Sequence, residues 1–173
     1  MDTNAVFRAL DHELHTLGLQ RDLVICGGAA LIAMGVIARE TRDVDVLDPL
    51  LDAELLEAAK RVGKRLGLAE GWLNNGPRTL VKELPRDWEE RCTEVFQGDA
   101  LLVRSIGRSD LICTKLYAAA CRTDDVPDLV RLKPTSAELK FAESWTLERD
   151  GSEIWPRIVS ECIAEVRRRL GHG

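Results

Sequence analysis

The chain has 173 residues, of which 45% are hydrophobic and 31% charged, and its formal net charge at pH 7 is −5. This length and composition are typical of one globular domain, or of a small catalytic core with added helices. The acidic balance excludes a general electrostatic attraction to nucleic acid, although a local basic cleft could still hold RNA.

The sequence does not have the patterns typical of membrane insertion, of a signal peptide or of cysteine-bound metal. No run of about 18 apolar residues occurs, so no transmembrane helix is predicted. The N-terminus, Met1–Asn4, is acidic where a signal peptide would be basic. The five cysteines show no C-x-x-C spacing, and the three histidines do not cluster with them. We therefore expect reduced, mostly buried thiols, no zinc site and a cytoplasmic location.

The N-terminal third predicts a helix, a strand, a second helix and a second strand. Apolar residues recur every three to four positions over Val6–Leu19, which predicts an amphipathic helix. The short apolar run Leu23–Cys26 predicts a buried strand. Gly27 and Gly28 then turn the chain into Ala29–Ala38, which is apolar on every side and predicts a buried helix. Asp43–Leu47 alternates acid and valine, which predicts a strand.

Two acids of this second strand are the first candidate site residues. Residues two apart share one face of a strand, so Asp43 and Asp45 should point the same way, with Val44 and Val46 on the other face. Aspartate is depleted in strands. Two on one face therefore predict a divalent metal site for Mg²⁺ or Mn²⁺.

This order of residues resembles the core motif of the nucleotidyltransferase superfamily, which has the polymerase-beta-like fold, and it looks like the AbiEii-type branch of abortive-infection and toxin proteins. The resemblance implies that the glycine turn lies against a nucleoside triphosphate and that the acids bind magnesium. The matching positions are Gly27, Gly28, Arg39, Thr41, Asp43 and Asp45. Arg39 and Arg42 could neutralise phosphate charge, and Thr41 is counted with them as nucleotide-binding. The alternatives are that Thr41 only favours the strand and that Arg39 only pairs with nearby residues.

The middle of the chain adds a helix and a Trp-Leu-Asn segment. A helix opens after Asp48-Pro49 and ends near Gly67. Trp72, in a segment that also recurs in uncharacterised relatives, is predicted in the core, with nucleobase stacking as the alternative. Asn75 and Gly76 predict a turn.

A hairpin is predicted from about Arg91 to Ile106, with its turn at Gln97–Asp99. The superfamily usually has a third carboxylate on a neighbouring strand, and Glu94 is the candidate metal ligand for that place, with Glu90 as the alternative. An ordinary exposed strand acid is the competing interpretation of Glu94.

The following helix, Leu111–Cys121, carries a candidate catalytic lysine. The pattern Lys115, Arg122, Asp125, Asp128 again resembles the AbiEii-type branch, and it implies that Lys115 contacts nucleotide phosphate. A surface lysine and helix-capping acids are the alternative. Two further helices follow a capping box at Thr135.

The predicted fold is therefore an α+β or α/β core with a small mixed sheet flanked by helices. The nucleotidyltransferase-like core should span residues 1–132, with C-terminal helices packed on it over 133–173. One departure from the superfamily is Gly28, where a serine is common. The other is the lack of a clear third carboxylate.

The predicted function is metal-dependent transfer of a nucleoside monophosphate from a nucleoside triphosphate to an acceptor, which could be RNA, protein or a small molecule. A toxin role with an antitoxin partner is part of the same prediction. The alternative is a non-catalytic nucleotide-binding or toxin–antitoxin partner protein on the same fold. A dinucleotide-binding fingerprint and a P-loop are both absent from the sequence.

Overall fold

A computed structural model of the protein describes residues 1–38 and 40–171, apart from the side chain of Thr123. The contacts divide the chain into two compact units, Met1–Gly107 and Arg108–Gly173. This division falls before the helix that contains Lys115, whereas the sequence suggested a boundary after residue 132. The reason is that this helix packs against the three helices that follow it.

The first unit contains a mixed five-stranded sheet with helices, as predicted. Its helices are α1 (Thr3–Thr16), α2 (Gly27–Ala33) and α3 (Ala53–Leu66). Its strands are β1 (Arg21–Cys26), β2 (Val44–Asp48), β3 (Leu73–Asn74), β4 (Thr93–Gln97) and β5 (Leu101–Ser105). Short 3-10 helices cover Gly76–Glu83 and Glu89–Arg91.

The strand order is β3-β2-β1-β5-β4. The central strand β1 runs antiparallel to β2 and parallel to β5. The short β3 runs parallel to β2, and the predicted hairpin pairs β4 with β5. The end of β1 and the start of β2 therefore lie side by side, which brings the glycine turn next to the acidic strand.

The two faces of this sheet differ in character. One face is fully buried, because its side chains are Leu23, Ile25, Val44, Val46 and Val103, each at most 1% exposed. The ring of Phe7 on α1 lies 5.7 Å from that of Phe96 on β4, so α1 covers part of this face. The opposite face carries polar side chains, among them Asp22, Asp45, Asn74, Glu94 and Arg104.

Two helices differ in length from their predictions. α2 ends at Ala33, whereas the apolar run predicted a helix to Ala38, because the chain turns at Gly35 with a positive φ of 71°. α3 begins later than Pro49. Asp52 caps it by accepting a hydrogen bond from the Leu55 amide at 2.8 Å.

The side chain of Asn75 links the segment after β3 to β2 and to the loop after β2. Its Nδ2 donates to the carbonyls of Val46 and Pro49 at 2.9 and 3.1 Å, and its Oδ1 accepts from the Leu51 amide at 2.8 Å. The predicted turn at Asn75 thus begins a 3-10 helix. Trp72 is a core residue as predicted, 3% exposed, and its Nε1 donates to the carbonyl of Ala59 at 2.9 Å.

The second unit is helical. It contains α4 (Arg108–Cys121), α5 (Val126–Arg131), α6 (Ser136–Leu147) and α7 (Trp155–Leu170). The capping box at Thr135 is confirmed, because its hydroxyl accepts from the Glu138 amide while the Glu138 carboxylate accepts from the Thr135 amide. The ring of Tyr117 on α4 contacts Trp145 and Trp155, which joins α4, α6 and α7.

Two expectations drawn from composition can be compared with the structure. Of the five cysteines, Cys26, Cys113 and Cys162 are buried, as expected. Burial raises the pKa of the Cys162 thiol to about 11. Within residues 1–38 and 40–171, no helix combines the length and the apolar character that a bilayer crossing requires.

Replacing Asn75 by alanine should lower the free energy of unfolding by about 1–3 kcal/mol, because one amide and two carbonyls lose their partner. Urea unfolding followed by circular dichroism measures this loss. Asn4→Ala, at an exposed position in the first turn of α1, is the control and should change stability by less than about 0.5 kcal/mol. Equal effects of the two substitutions would contradict a tethering role for Asn75.

Candidate functional site

The candidate site is built where β1 passes into α2. Gly27 has a positive φ of 69°. A Cβ added to Gly27 would lie 2.7 Å from Oδ2 of Asp45. The register explains this closeness, because Asp45 on β2 pairs with Cys26, the residue before the turn. Glycine is therefore required here both by the backbone angle and by the approach of the Asp45 carboxylate.

Asp43 and Asp45 occupy different positions relative to the strand. β2 begins at Val44, so Asp45 is within the strand and Asp43 directly precedes it, one residue outside its predicted place. Val44 and Val46 are completely buried, whereas Asp45 is half-buried and Asp43 is exposed. Asp45 thus lies on the face opposite to the valines, as the alternation predicted.

Thr41 contacts Asp43. Its hydroxyl is 3.2 Å from the carbonyl oxygen and 3.3 Å from Oδ1 of Asp43, and it can donate to either. The threonine side chain is only 8% exposed. The sequence assigned Thr41 to nucleotide binding. In the structure this hydroxyl holds the acid beside it, and Thr41 thus positions Asp43.

Asn74 is a member of the site that the sequence reasoning missed. It pairs with Asp45 across β3 and β2, so both side chains lie on the same face. Its Oδ1 accepts a hydrogen bond from the Gly76 amide at 2.7 Å, which fixes the orientation of the side chain. The Trp-Leu-Asn segment was a signal for this residue, but only the strand register places Asn74 next to Asp45.

Glu94 does not complete the metal site with Asp43 and Asp45, and that prediction is wrong. Glu94 is an exposed residue of β4, at the edge of the sheet, paired with Arg104 of β5. Strands β1 and β5 lie between β4 and β2. At about 4.8 Å per strand, Glu94 is about 14 Å from Asp45, too far to share a metal ion.

Other predicted nucleotide-binding residues lie near the turn in sequence. Gly28 is half-buried in the first turn of α2, and Arg42 is exposed beside Asp43. The prediction for Arg39 falls outside the described residues. Across residues 1–38 and 40–171, no group of three or more histidine, cysteine, aspartate or glutamate side chains is arranged to hold a metal ion.

Lys115 belongs to the second unit and is buried in an ionic network there. Its Nζ donates to Oδ1 of Asp125 at 2.8 Å and to Oδ2 of Asp128 at 3.1 Å. The lysine side chain is 8% exposed and that of Asp128 only 2%. Arg122 binds Asp125 at 3.0 Å, and Arg131 lies 3.6 Å from Asp128. The alternative of a surface lysine is therefore wrong.

This ionic network gives the spacing of these charged residues a structural role in the second unit. Lys115 comes from α4, Asp125 from the 3-10 turn after α4, and Asp128 from α5, so the ion pairs hold α5 against α4. Two of the three N–H donors of Lys115 are taken by carboxylates. A contact between Lys115 and nucleotide phosphate stays a prediction.

The first unit therefore combines a mixed sheet, a glycine turn and an acid-x-acid strand, which are the features of the nucleotidyltransferase superfamily predicted from the sequence. The chain belongs to the family described as nucleotidyltransferase of unknown function (DUF6036), which matches residues 5–137. No curated protein and no solved structure matches the chain. Membership in the AbiEii-type branch stays a prediction.

The contact between residue 27 and Asp45 can be measured with a double-mutant cycle. Gly27→Ala should lower the free energy of unfolding by about 1–2 kcal/mol from the positive φ, and by roughly a further 1–3 kcal/mol because Asp45 must move. In an Asp45→Ala background only the φ cost should remain.

Gly35→Ala is the matched control for this cycle, because Gly35 has nearly the same φ of 71° but no atom of the described residues within 4 Å of the added Cβ. Its cost should be the same with and without Asp45. If the cost of Gly27→Ala is also unaffected by removing Asp45, the carboxylate does not lie against the turn.

Lys115→Met should lower the free energy of unfolding by about 2–5 kcal/mol without any nucleotide present, because two buried carboxylates lose their shared cation. Lys140→Met, at an exposed position of α6, is the control and should change stability by less than about 0.5 kcal/mol. Unchanged stability of the Lys115 variant together with lost nucleotide binding would instead identify a phosphate-binding lysine.

Proposed function

We propose that the protein is a metal-dependent nucleotidyltransferase whose active site is the junction of β1, α2 and β2. The observation that carries the proposal is the close approach of the Asp45 carboxylate to Gly27, with 2.7 Å between Oδ2 and the position of a Cβ. An acid held directly beside a side-chain-free turn supports a site where phosphate and a cation meet. The family description supports the same reaction class.

The donor set suits magnesium held jointly by protein and substrate. Mg²⁺ is usually bound by one or two carboxylates together with substrate phosphates and water. Asp45 and Asp43 supply two carboxylates, and the described residues offer no third. When bound, the ion would neutralise phosphate charge and polarise the α-phosphoryl group. This donor set leads us to expect strong metal binding only when the triphosphate is present.

The other residues of the junction have roles that follow from their contacts. Gly27 and Gly28 leave the backbone open to close approach by phosphate oxygens. Thr41 holds Asp43 in place through its hydroxyl. Asn74 has its carbonyl oxygen fixed by Gly76, so its amide N–H groups remain available to donate to a phosphate or a ribose hydroxyl beside Asp45.

The reaction we propose is a single displacement at the α-phosphorus. A hydroxyl oxygen of the acceptor forms a new bond to this phosphorus, and the bond from it to the oxygen bridging to the β-phosphate breaks. Pyrophosphate leaves with that electron pair, and the hydroxyl proton passes to water. A toxin role and an antitoxin partner remain predictions of the sequence resemblance.

Binding measurements test the shared metal site. Calorimetry with Mn²⁺ alone, with a non-hydrolysable triphosphate alone, and with both should give tight binding only for the combination. Asp45→Asn and Asp43→Asn should weaken the combined binding at least about tenfold each, because each removes a carboxylate ligand. Asp99→Asn, in the exposed turn between β4 and β5, is the control and should bind normally.

Label transfer tests the reaction class. The protein is incubated with Mg²⁺, cell extract and each nucleoside triphosphate in turn, labelled on either the α- or the γ-phosphorus. Nucleotidyl transfer should place α-label but no γ-label on a macromolecule or metabolite, and Asp45→Asn should abolish the transfer. Tight binding of metal and triphosphate without any transfer would support the non-catalytic alternative, and γ-label on the acceptor would identify a kinase.

A further inference from the structure

A cavity of about 430 Å³ lies in the first unit beside the C-terminal end of β2. It is lined by Asp48, Arg78, Thr79, Val81 and Lys82. Asp48 is the last residue of β2, and the other four belong to the 3-10 helix Gly76–Glu83. Cavities of about 300–1,000 Å³ are of the size that holds small-molecule ligands. The space therefore suits a ligand larger than a single phosphate ion.

The residues that line the cavity are close in sequence to residues of the proposed active site. Asp48 follows Asp45 on β2 by three residues, which corresponds to about 10 Å along a strand. On the other side, the 3-10 helix begins directly after Asn74 and Asn75, and the amide of its first residue, Gly76, holds the Asn74 side chain. Asp48 pairs with Val24, and Val24 pairs with Arg104 on the polar face, so the register shift between β1 and β2 brings Asp48 to the face that carries Asp45. A ligand seated in the cavity can therefore extend toward Asp45.

The lining residues define the chemistry of the ligand. Arg78 and Lys82 are exposed, and among residues 1–38 and 40–171 neither side chain makes an ion pair or hydrogen bond. Two available cations suit a phosphate group, which an arginine can bind through two parallel hydrogen bonds. The Asp48 carboxylate and the Thr79 hydroxyl suit ligand hydroxyls, and Val81 provides an apolar contact.

We propose that this cavity is the acceptor subsite, and that the acceptor is a phosphorylated sugar compound, either a small sugar phosphate or nucleotide or the end of a nucleic-acid strand. The proposal rests on the proposed function. Arg78 and Lys82 bind the acceptor phosphate, and Asp48 accepts a hydrogen bond from a hydroxyl of the sugar. This local basic site overcomes the repulsion expected from a chain of net charge −5.

The test measures binding of two probes to the full-length protein saturated with Mn²⁺ and a non-hydrolysable triphosphate. One probe is an equimolar set of ribonucleoside 5′-monophosphates, and the other is a short single-stranded oligoribonucleotide. The double variant Arg78→Gln/Lys82→Gln should weaken binding of at least one probe tenfold or more, with triphosphate binding unchanged. Oligonucleotide binding at least tenfold tighter than monophosphate binding would assign a nucleic-acid end, and the reverse a small acceptor.

The matched control is Arg86→Gln/Lys64→Gln, which removes the same two charges at exposed positions that do not line the cavity. It should bind both probes and the triphosphate normally, and thermal melts should show both double variants folded. The proposal is overturned if neither probe binds the unmodified protein, or if the two double variants behave alike. It is also overturned if the cavity variant loses triphosphate binding, because the cavity would then belong to the nucleotide site.

Failure of the proposed function gives a different result from failure of the acceptor assignment. If the unmodified protein binds no triphosphate with Mn²⁺, the nucleotidyltransferase proposal fails first, whatever the probes do. If triphosphate binds and depends on Asp45, but probe binding does not depend on Arg78 and Lys82, only the acceptor subsite is wrong.

Discussion

The structure of the candidate site depends on the close approach of the Asp45 carboxylate to Gly27. A positive φ alone would favour glycine at position 27, but the carboxylate also occupies the space where a side chain would begin. The antiparallel pairing of β1 and β2 produces this contact, since it sets Asp45 opposite Cys26. One register thus brings the turn and the acid together, and β3 adds Asn74 to the same face.

The first unit keeps this junction in place with local interactions of ordinary strength. The buried face of the sheet provides the hydrophobic anchor, with Ile25, Val44 and Val46 completely buried. The three hydrogen bonds of Asn75 hold the short β3 and the 3-10 helix against the loop after β2. Without such a tether a two-residue strand would have little to fix its position. The polar face can then hold the residues of the candidate site, while the buried face stabilises the fold.

The second unit shows how one motif can have a structural role and a predicted functional role together. The spacing of Lys115, Asp125 and Asp128 resembles a family pattern, which implies that Lys115 contacts nucleotide phosphate. Their side chains join α4 to the turn and helix that follow it, at distances of 2.8 and 3.1 Å. Breaking a buried network of this kind destabilises a protein because charges lose their partners out of water. Loss of activity in a Lys115 variant would therefore need stability data beside it.

The sequence alone determined most of the local elements and indicated the superfamily, because both depend on residues close together in the chain. The alternation of acid and valine predicted β2, the capping box predicted the start of α6, and the glycine turn with the Asp-x-Asp pattern indicated the superfamily. The length of α2 was overestimated because an apolar run does not reveal where a glycine will turn the backbone.

Only the tertiary structure decided which side chains meet. Strand order separates Glu94 from Asp45 by two intervening strands, although a third carboxylate on a neighbouring strand was expected. The same order and register place Asn74 beside Asp45, and they set the 3-10 helix with Arg78 and Lys82 next to Asp48. Strand pairing joins residues far apart in the chain, and a pattern of alternating residues within one strand carries no information about its neighbours.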